Sequence, residues 1–252
     1  MAVASVVLGS LIAVRASRVL AAACLGYLAG TAPSADVACR LATGGTTDLR
    51  VVGSRNPGAN NALKLLGARW GYGVMAADIA KGALACTAGR SMAAGTGAHV
   101  AGVAAVIGHC FPIWNGFRGG KGVATSVGQC AATFPAWSVV DLLVAWGAAV
   151  LPWWRRRHVG ATVVSSAVWV LAATVWWRRG WPNLWGPRPT AAMPLAAAAS
   201  SAVILYRLAT EPPPLPLPPP GPPPPPDAGD HQPRRPAPQS PVVADTVPLP
   251  LA

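Results

Sequence analysis

The sequence predicts an all-α polytopic membrane protein: about seven transmembrane helices, cytoplasmic glycine-rich loops and a disordered Pro-rich C-terminal tail. Three observations lead there. Of 252 residues 52% are hydrophobic and 11% charged, with mean hydropathy +0.40, whereas a soluble domain carries about 25% charge. The cations stand at the ends of apolar runs, so the net charge of +12 speaks for membrane topology and for anionic lipids or phosphorylated substrates, not nucleic acid. Composition also changes abruptly at residue 211, beyond which proline dominates.

Residues 1–18 read as an N-terminal extension, because the apolar run 3–14 precedes Arg15 and Arg18, the wrong order for a signal peptide. The membrane domain is expected over 19–210. Its first span, 19–41, is interrupted by Gly30-Thr31-Ala32-Pro33-Ser34. Pro and Ser there predict a break whose freed backbone groups are satisfied internally. Asp36 and Arg40 are four apart and are expected to pair. Residues 43–66 form a polar loop. The second span, 67–89, carries Asp78 and Lys81, an intramembrane ionisable pair that is a functional candidate by default. The third, 91–108, is rich in Gly and Ala for close helix packing, and its His99 is expected to be a satisfied interior histidine. Spans four and five, 121–134 and 137–152, break near Pro135, with Asp141 at an aqueous boundary. The aromatic and cationic run Trp153–His158 follows, then spans at 159–177 and 190–207.

Seven spans put loops 43–66, 109–120 and 153–158 on one side with most of the Lys and Arg, so the glycine-rich loops face the cytoplasm of a multi-pass cell-membrane protein. The tail, 211–252, cannot form a packed core and reads as a polyproline-II-like solvated segment; a partner with a proline-recognising module is the sharper reading. The five Cys (24, 39, 86, 110, 130) show no C-x-x-C spacing and read as small buried hydrophobes. No metal and no cofactor are expected.

Chemistry concentrates in residues 108–125, GHCFPIWNGFRGGKGVAT. Its glycines let backbone approach a ligand. Arg118 and Lys121 supply charge for an anion, and Thr125 adds a hydroxyl. A nucleotide P-loop is excluded, since Asn115 stands where its first glycine belongs and Gly122 follows the lysine. His109 has no Asp four or five residues on, and no G-x-S-x-G elbow exists. A second run, Gly53-Ser54-Arg55-Asn56-Pro57-Gly58-Ala59-Asn60-Asn61, offers a hydroxyl, a guanidinium and three carboxamides on the same membrane face.

These two runs resemble the signature motifs of the bacterial acyl-phosphate:glycerol-3-phosphate acyltransferases, the PlsY family. The first motif, G-S-x-N-P-G-A-x-N, is matched from Gly53 to Asn61. The second, G-H-x-F-P-x-x-x-x-F-K-G-G-K-G-V-A-T, is matched from Gly108 to Thr125 with Arg118 replacing a lysine. Gly30-Thr31-Ala32-Pro33 and Asp78-Ile79-Ala80-Lys81-Gly82 are similar to two further family segments. The resemblance implies transfer of a fatty acyl group from acyl phosphate to the 1-hydroxyl of glycerol 3-phosphate, at a membrane-lipid surface, for phospholipid biosynthesis. It also implies that Lys121, Arg118 and Ser54 bind phosphate, that Asn56 and Asn61 hold glycerol 3-phosphate, and that Asp78 and Lys81 shape the site from below. His109 orients a loop or assists proton removal. Arg55, Gly58, Gly119, Gly120, Gly122 and Thr125 complete the phosphate-binding walls. The family's third motif, H-R-x-N and onward, is shortened here to Tyr206–Pro212, keeping Arg207 but not its His and Asn. That loss leaves an alternative open: a non-catalytic paralogue that binds a lipid or phosphometabolite as sensor or scaffold.

Overall fold

The computed structural model describes residues 2–150 and 158–210, all helix, turn and loop with no strand among them. The elements are α1 (Ala2–Gly30), α2 (Ser34–Thr43), α3 (Ala59–Leu66), α4 (Ala68–Cys110), a single 3₁₀ turn (Ile113–Asn115), α5 (Val123–Thr133), α6 (Pro135–Val150), α7 (His158–Arg179) and α8 (Ala192–Ala209). Among the described residues, four stretches are long and apolar enough to cross a membrane: Ser10–Thr43, Ala68–Asn115, Gly160–Arg179 and Ala192–Ala209. The tail from 211 and the Arg155–Arg157 cluster lie outside the described residues.

The expected break after Gly30 is present. α1 ends there, Thr31 Oγ1 donates to the Leu28 carbonyl at 2.6 Å, and α2 starts after Pro33, whose ring suits a helix start. α1 runs unbroken from Ala2 through the stretch read as an extension. α2 closes on Gly44 at φ +64°, the left-handed geometry that glycine reaches without strain. The polar loop is shorter than 43–66, because its last residues wind into α3.

α4 contains both the second and third expected spans. Its two arms turn about Ala93 (φ −142°) and Ala94 (φ +50°), so the helix folds into a tight hairpin. Small residues permit this. A Cβ on Gly89 would strike the Gly97 carbonyl, and one on Gly97 the Gly89 carbonyl. The same device docks the neighbours: Gly26 and Gly30 of α1 lie on the Ala101 and Ala105 carbonyls, and Gly128 of α5 lies on the Ile79 carbonyl. Backbone-to-backbone approach of this kind replaces the hydrophobic drive that lipid does not supply. α5 and α6 part at Phe134 (φ −139°) and Pro135, where Asn183 Nδ2 donates to the Thr133 carbonyl at 3.0 Å. Phe134, Trp169, Met193 and Ala197 join α5, α7 and α8 in one apolar cluster.

Candidate functional site

Where α1 breaks, Lys81 and His109 meet a cleft that is also lined by Ser34, Asp36, Arg50, Pro57, Asn115, Gly119 and Gly120. Four of the residues expected to act, Lys81, His109, Gly119 and Gly120, therefore share one cavity, and Pro57 brings the first motif to its edge.

Below the cleft a single carboxylate oxygen gathers three groups. Asp78 Oδ1 accepts from Ser34 Oγ at 2.5 Å, pairs with Lys81 Nζ at 2.8 Å and faces His109 Nδ1 at 3.5 Å. Lys81 Nζ also donates to the Ala32 carbonyl at 3.2 Å, a group released by the helix break. Asp78 is 1% and Lys81 9% exposed, so both charges are lodged in protein, as ionisable groups inside apolar helices require. A carboxylate thus does stand beside His109. It comes from the facing arm of α4 rather than from four residues downstream, which local spacing could not reveal.

A second ion cluster ties the loops together. Asp36 does not pair with Arg40 as expected; it holds Arg50 through two bonds, Nη1 to Oδ1 at 2.6 Å and Nη2 to Oδ2 at 2.9 Å. The reason is position on α2: Asp36 lies in the first turn beside the cleft, and Arg40, one turn on, is exposed. Arg50 Nη1 also reaches Asp48 at 3.2 Å, and Asn115 Nδ2 donates to Asp36 at 3.0 Å. The Asp36 bond raises the Arg50 pKa above its already high ordinary value.

The glycine-rich turn is fixed against α4. Gly119 N–H and Gly120 N–H donate to the Cys110 and His109 carbonyls, each at 3.1 Å. A Cβ on Gly120 would run into His109 Nε2, so only glycine lets the imidazole lie here. Phe117 (φ +61°) and Gly122 (φ +83°) take left-handed conformations on either side. Arg118 is exposed, and Lys121 is half-buried. Thr125 is fully buried at the start of α5; its carbonyl packs on Gly82, and its hydroxyl has no partner among the described residues.

Around the first motif, Asn61 is the hub. It is 1% exposed. Its Oδ1 accepts the Ser54 N–H at 3.0 Å, and its Nδ2 donates to the Leu49 and Val52 carbonyls at 3.0 and 3.1 Å. Its carboxamide is thus occupied by the loop's own backbone. Gly53 (φ +58°) and Arg55 (φ +59°) make the bend that Asn61 fastens. Ser54, Arg55 and Asn56 are half-buried, and Gly58 is buried where α3 begins.

His99 differs from expectation: it is 2% exposed, and neither ring nitrogen has a partner among the described residues. Cys39, Cys86, Cys110 and Cys130 are buried thiols and Cys24 is exposed. No three His, Cys, Asp or Glu side chains gather as a metal site among the described residues. Sequence reading missed Ser34, Asn115 and the partnership of Arg50. Ser34 stands in the expected break and Asn115 in the second motif, whereas Arg50 is marked only by its place beside Asp48 ahead of the first motif.

A family model described as "Glycerol-3-phosphate acyltransferase" matches residues 20–211. A Dehalococcoides mccartyi protein named "Glycerol-3-phosphate acyltransferase 4" is 47% identical over 105 residues, 41% of this chain and 56% of the relative. The match to a Thermoanaerobacter sp. glycerol-3-phosphate acyltransferase covers 64% of that relative, so the first relatives are spanned over less than two thirds of their length. A Methylorubrum extorquens protein of the same name is 35% identical over 182 residues, 66% of this chain and 87% of the relative. Among solved structures, PlsY (YgiH), described as an integral membrane glycerol 3-phosphate acyltransferase in its glycerol 3-phosphate form, aligns at TM-score 0.60 and 27% identity, covering 76% of this chain and 88% of that one. Its lysophosphatidic acid form aligns at TM-score 0.55 and 25% identity, over 75% and 87%.

Proposed function

The chain belongs to the glycerol-3-phosphate acyltransferase family, and we propose that it transfers a fatty acyl group from acyl phosphate to the 1-hydroxyl of glycerol 3-phosphate, giving lysophosphatidic acid and phosphate. The observation that carries this reading is the convergence of Lys81, His109, Gly119 and Gly120 on one cleft, with the first motif at its rim. Two phosphorylated substrates need cations near one another; Lys81 and Arg50 line this cleft, and the first motif reaches it through Pro57.

Acyl phosphate is already activated, so no nucleophilic side chain is required. The glycerol oxygen forms its bond to the acyl carbon as the bond from that carbon to the phosphate oxygen breaks. The hydroxyl proton ends on the departing phosphate. Holding both substrates in one cleft supplies much of the acceleration, and cations beside the leaving phosphate and the carbonyl oxygen stabilise the charge that develops. In this reading Lys121, Arg118 and Ser54 bind phosphate groups, Arg55, Asn56, Gly58 and the Gly119–Gly122 backbone complete the walls, and Thr125 closes the floor. Asn61 acts through the loop it fastens. Asp78 faces His109 Nδ1 at 3.5 Å, and this orients the ring to relay the hydroxyl proton. The same reading places the protein in the cell membrane with about seven spans, these loops in the cytoplasm, and a solvated tail able to meet a proline-recognising partner.

Purified protein in detergent should release phosphate from palmitoyl phosphate only when glycerol 3-phosphate is present, and Lys121→Ala should abolish release. Complementation of a bacterial strain lacking this step tests it in the cell. The observation favouring the non-catalytic alternative is the shortened third motif at Tyr206–Pro212, which keeps Arg207 but not the motif's His and Asn. Wild-type protein that binds glycerol 3-phosphate without releasing phosphate would establish that alternative.

A further inference from the structure

Three consecutive carbonyls of the glycine-rich turn are each taken by an arginine. Arg50 Nε donates to Arg118 O at 3.0 Å. Arg207 Nη2 donates to Gly119 O at 2.8 Å and Arg207 Nε to Gly120 O at 3.3 Å. One arginine comes from the loop ahead of α3, the other from the last turn of α8. We infer that Arg50 and Arg207 are positioning residues for the anion site: together they hold and neutralise the carbonyls of residues 118–120, so that a substrate phosphate meets the cationic side of the turn rather than its lone pairs. The kinetic half of this inference rests on the acyl-transfer reading; the anion-binding half does not.

A carbonyl oxygen left facing a phosphate repels it, and the repulsion is large where water is scarce. In a trans peptide the N–H points opposite to the C=O, so fixing these carbonyls fixes the next three N–H groups as well. Those of Gly119 and Gly120 are bonded to the Cys110 and His109 carbonyls. Arg50 and Arg207 on the carbonyl edge, and the end of α4 on the N–H edge, therefore set the register of the turn.

The chemistry of the two side chains fits positioning better than binding. Arg50 is held by Asp36 and Asp48, whose two carboxylates offset its charge and leave little net attraction for an anion. Arg207 uses two nitrogens of its rigid fork on adjacent carbonyls, with its guanidinium carbon 5.4 Å from the Phe111 ring centroid. A lysine could not reproduce either arrangement, since an ammonium is a compact point donor.

The test uses the full chain in detergent, with Arg50→Lys, Arg207→Lys, the double variant, and Arg90→Lys as a control, because Arg90 bonds the Trp185 carbonyl away from the cleft. Calorimetry reads binding of inorganic phosphate and of glycerol 3-phosphate, thermal melting reads fold, and phosphate release from palmitoyl phosphate reads kcat and KM. Each lysine variant should melt close to wild type and bind both anions at least about tenfold more weakly, the scale of one lost charge-assisted hydrogen bond. The double variant should lose less than the product of the singles, because both arginines hold one stretch of peptide. Arg50→Gln or Arg207→Gln substitutes for the lysine variant at the same position if that variant does not fold. If folded variants bind anions as wild type does, or if the two effects simply multiply, the inference is overturned; so too if wild-type protein binds neither anion. Weakened anion binding in a chain with no acyl transfer would support the clamp and refute the acyl-transfer reading. Variants with wild-type kcat and wild-type KM would do the reverse.

Discussion

Replacing Asp78 separates what the buried charges do for the fold from what they do for the reaction. Asp78 Oδ1 serves Ser34 Oγ at 2.5 Å, Lys81 Nζ at 2.8 Å and His109 at 3.5 Å. Asp78→Asn leaves the Lys81 ammonium buried without its carboxylate, still donating to the Ala32 carbonyl at 3.2 Å. Removing one partner of a buried pair costs about 3–5 kcal/mol, which lowers Tm by roughly 6–20 °C in a chain of this size. Asp78→Leu combined with Lys81→Met removes both charges and should recover most of that loss, since apolar replacement of a buried pair is often neutral. Activity should not return, because the cleft has lost the Lys81 cation and His109 its carboxylate. Thermal melting in detergent, beside phosphate release from palmitoyl phosphate, gives both readouts. An Asp78→Asn protein that melts within 2 °C of wild type (roughly the shift of 1 kcal/mol or less) would refute the energetic claim. A doubly apolar variant with wild-type turnover would remove the pair from the site altogether.

Gly128→Ala should lower stability by about 1–3 kcal/mol, the usual cost of overpacking, because its Cβ lands on the Ile79 carbonyl and 2.9 Å from Ala83 N. Gly73→Ala is the contrast: nothing lies within 4 Å of its Cβ, and in a helix the change should be neutral or add up to about 1 kcal/mol. Asn61→Ala removes three bonds to the first-motif loop; it should cost about 1–3 kcal/mol and speed hydrogen exchange at residues 49–54. Truncation after Glu211 should leave phosphate release intact, and a loss of activity would show that the proline-rich segment contributes to the site.

Much of this was legible because membrane helices declare themselves by composition and because glycine, proline and charge punctuate them. The break at Gly30–Ser34 followed from Pro33, and the Asp78–Lys81 pair from two charges three apart in an apolar helix. The motif positions Lys81, His109, Gly119 and Gly120 were identifiable in the same way and do share a cleft. What stayed hidden depends on tertiary placement. Asp36 was expected to pair along its own helix with Arg40, but the loop brings Arg50 to it from 14 residues away. His99 looked like a satisfied interior histidine, yet no neighbour among the described residues meets its ring nitrogens. The second and third expected spans are the two arms of α4, but the tight turn between them was not legible, because Ala93 and Ala94 carry no turn signal and closure there comes from Gly89 and Gly97 touching across the arms.

The same distinction bears on the shortened third motif. Its missing His and Asn suggested an open third wall at Tyr206–Glu211. The one basic residue that remains, Arg207, grips the Gly119 and Gly120 carbonyls and lies near the Phe111 ring, while Ile204 and Leu208 of the same helix pack on Val106 and Cys110. The end of α8 is therefore built against the second motif rather than standing apart from it. With Arg207 clamping the turn, the turn keeps its shape without the His and Asn of the third motif. Inorganic phosphate should then bind to the wild-type chain, whereas loss of Arg207 should weaken that binding.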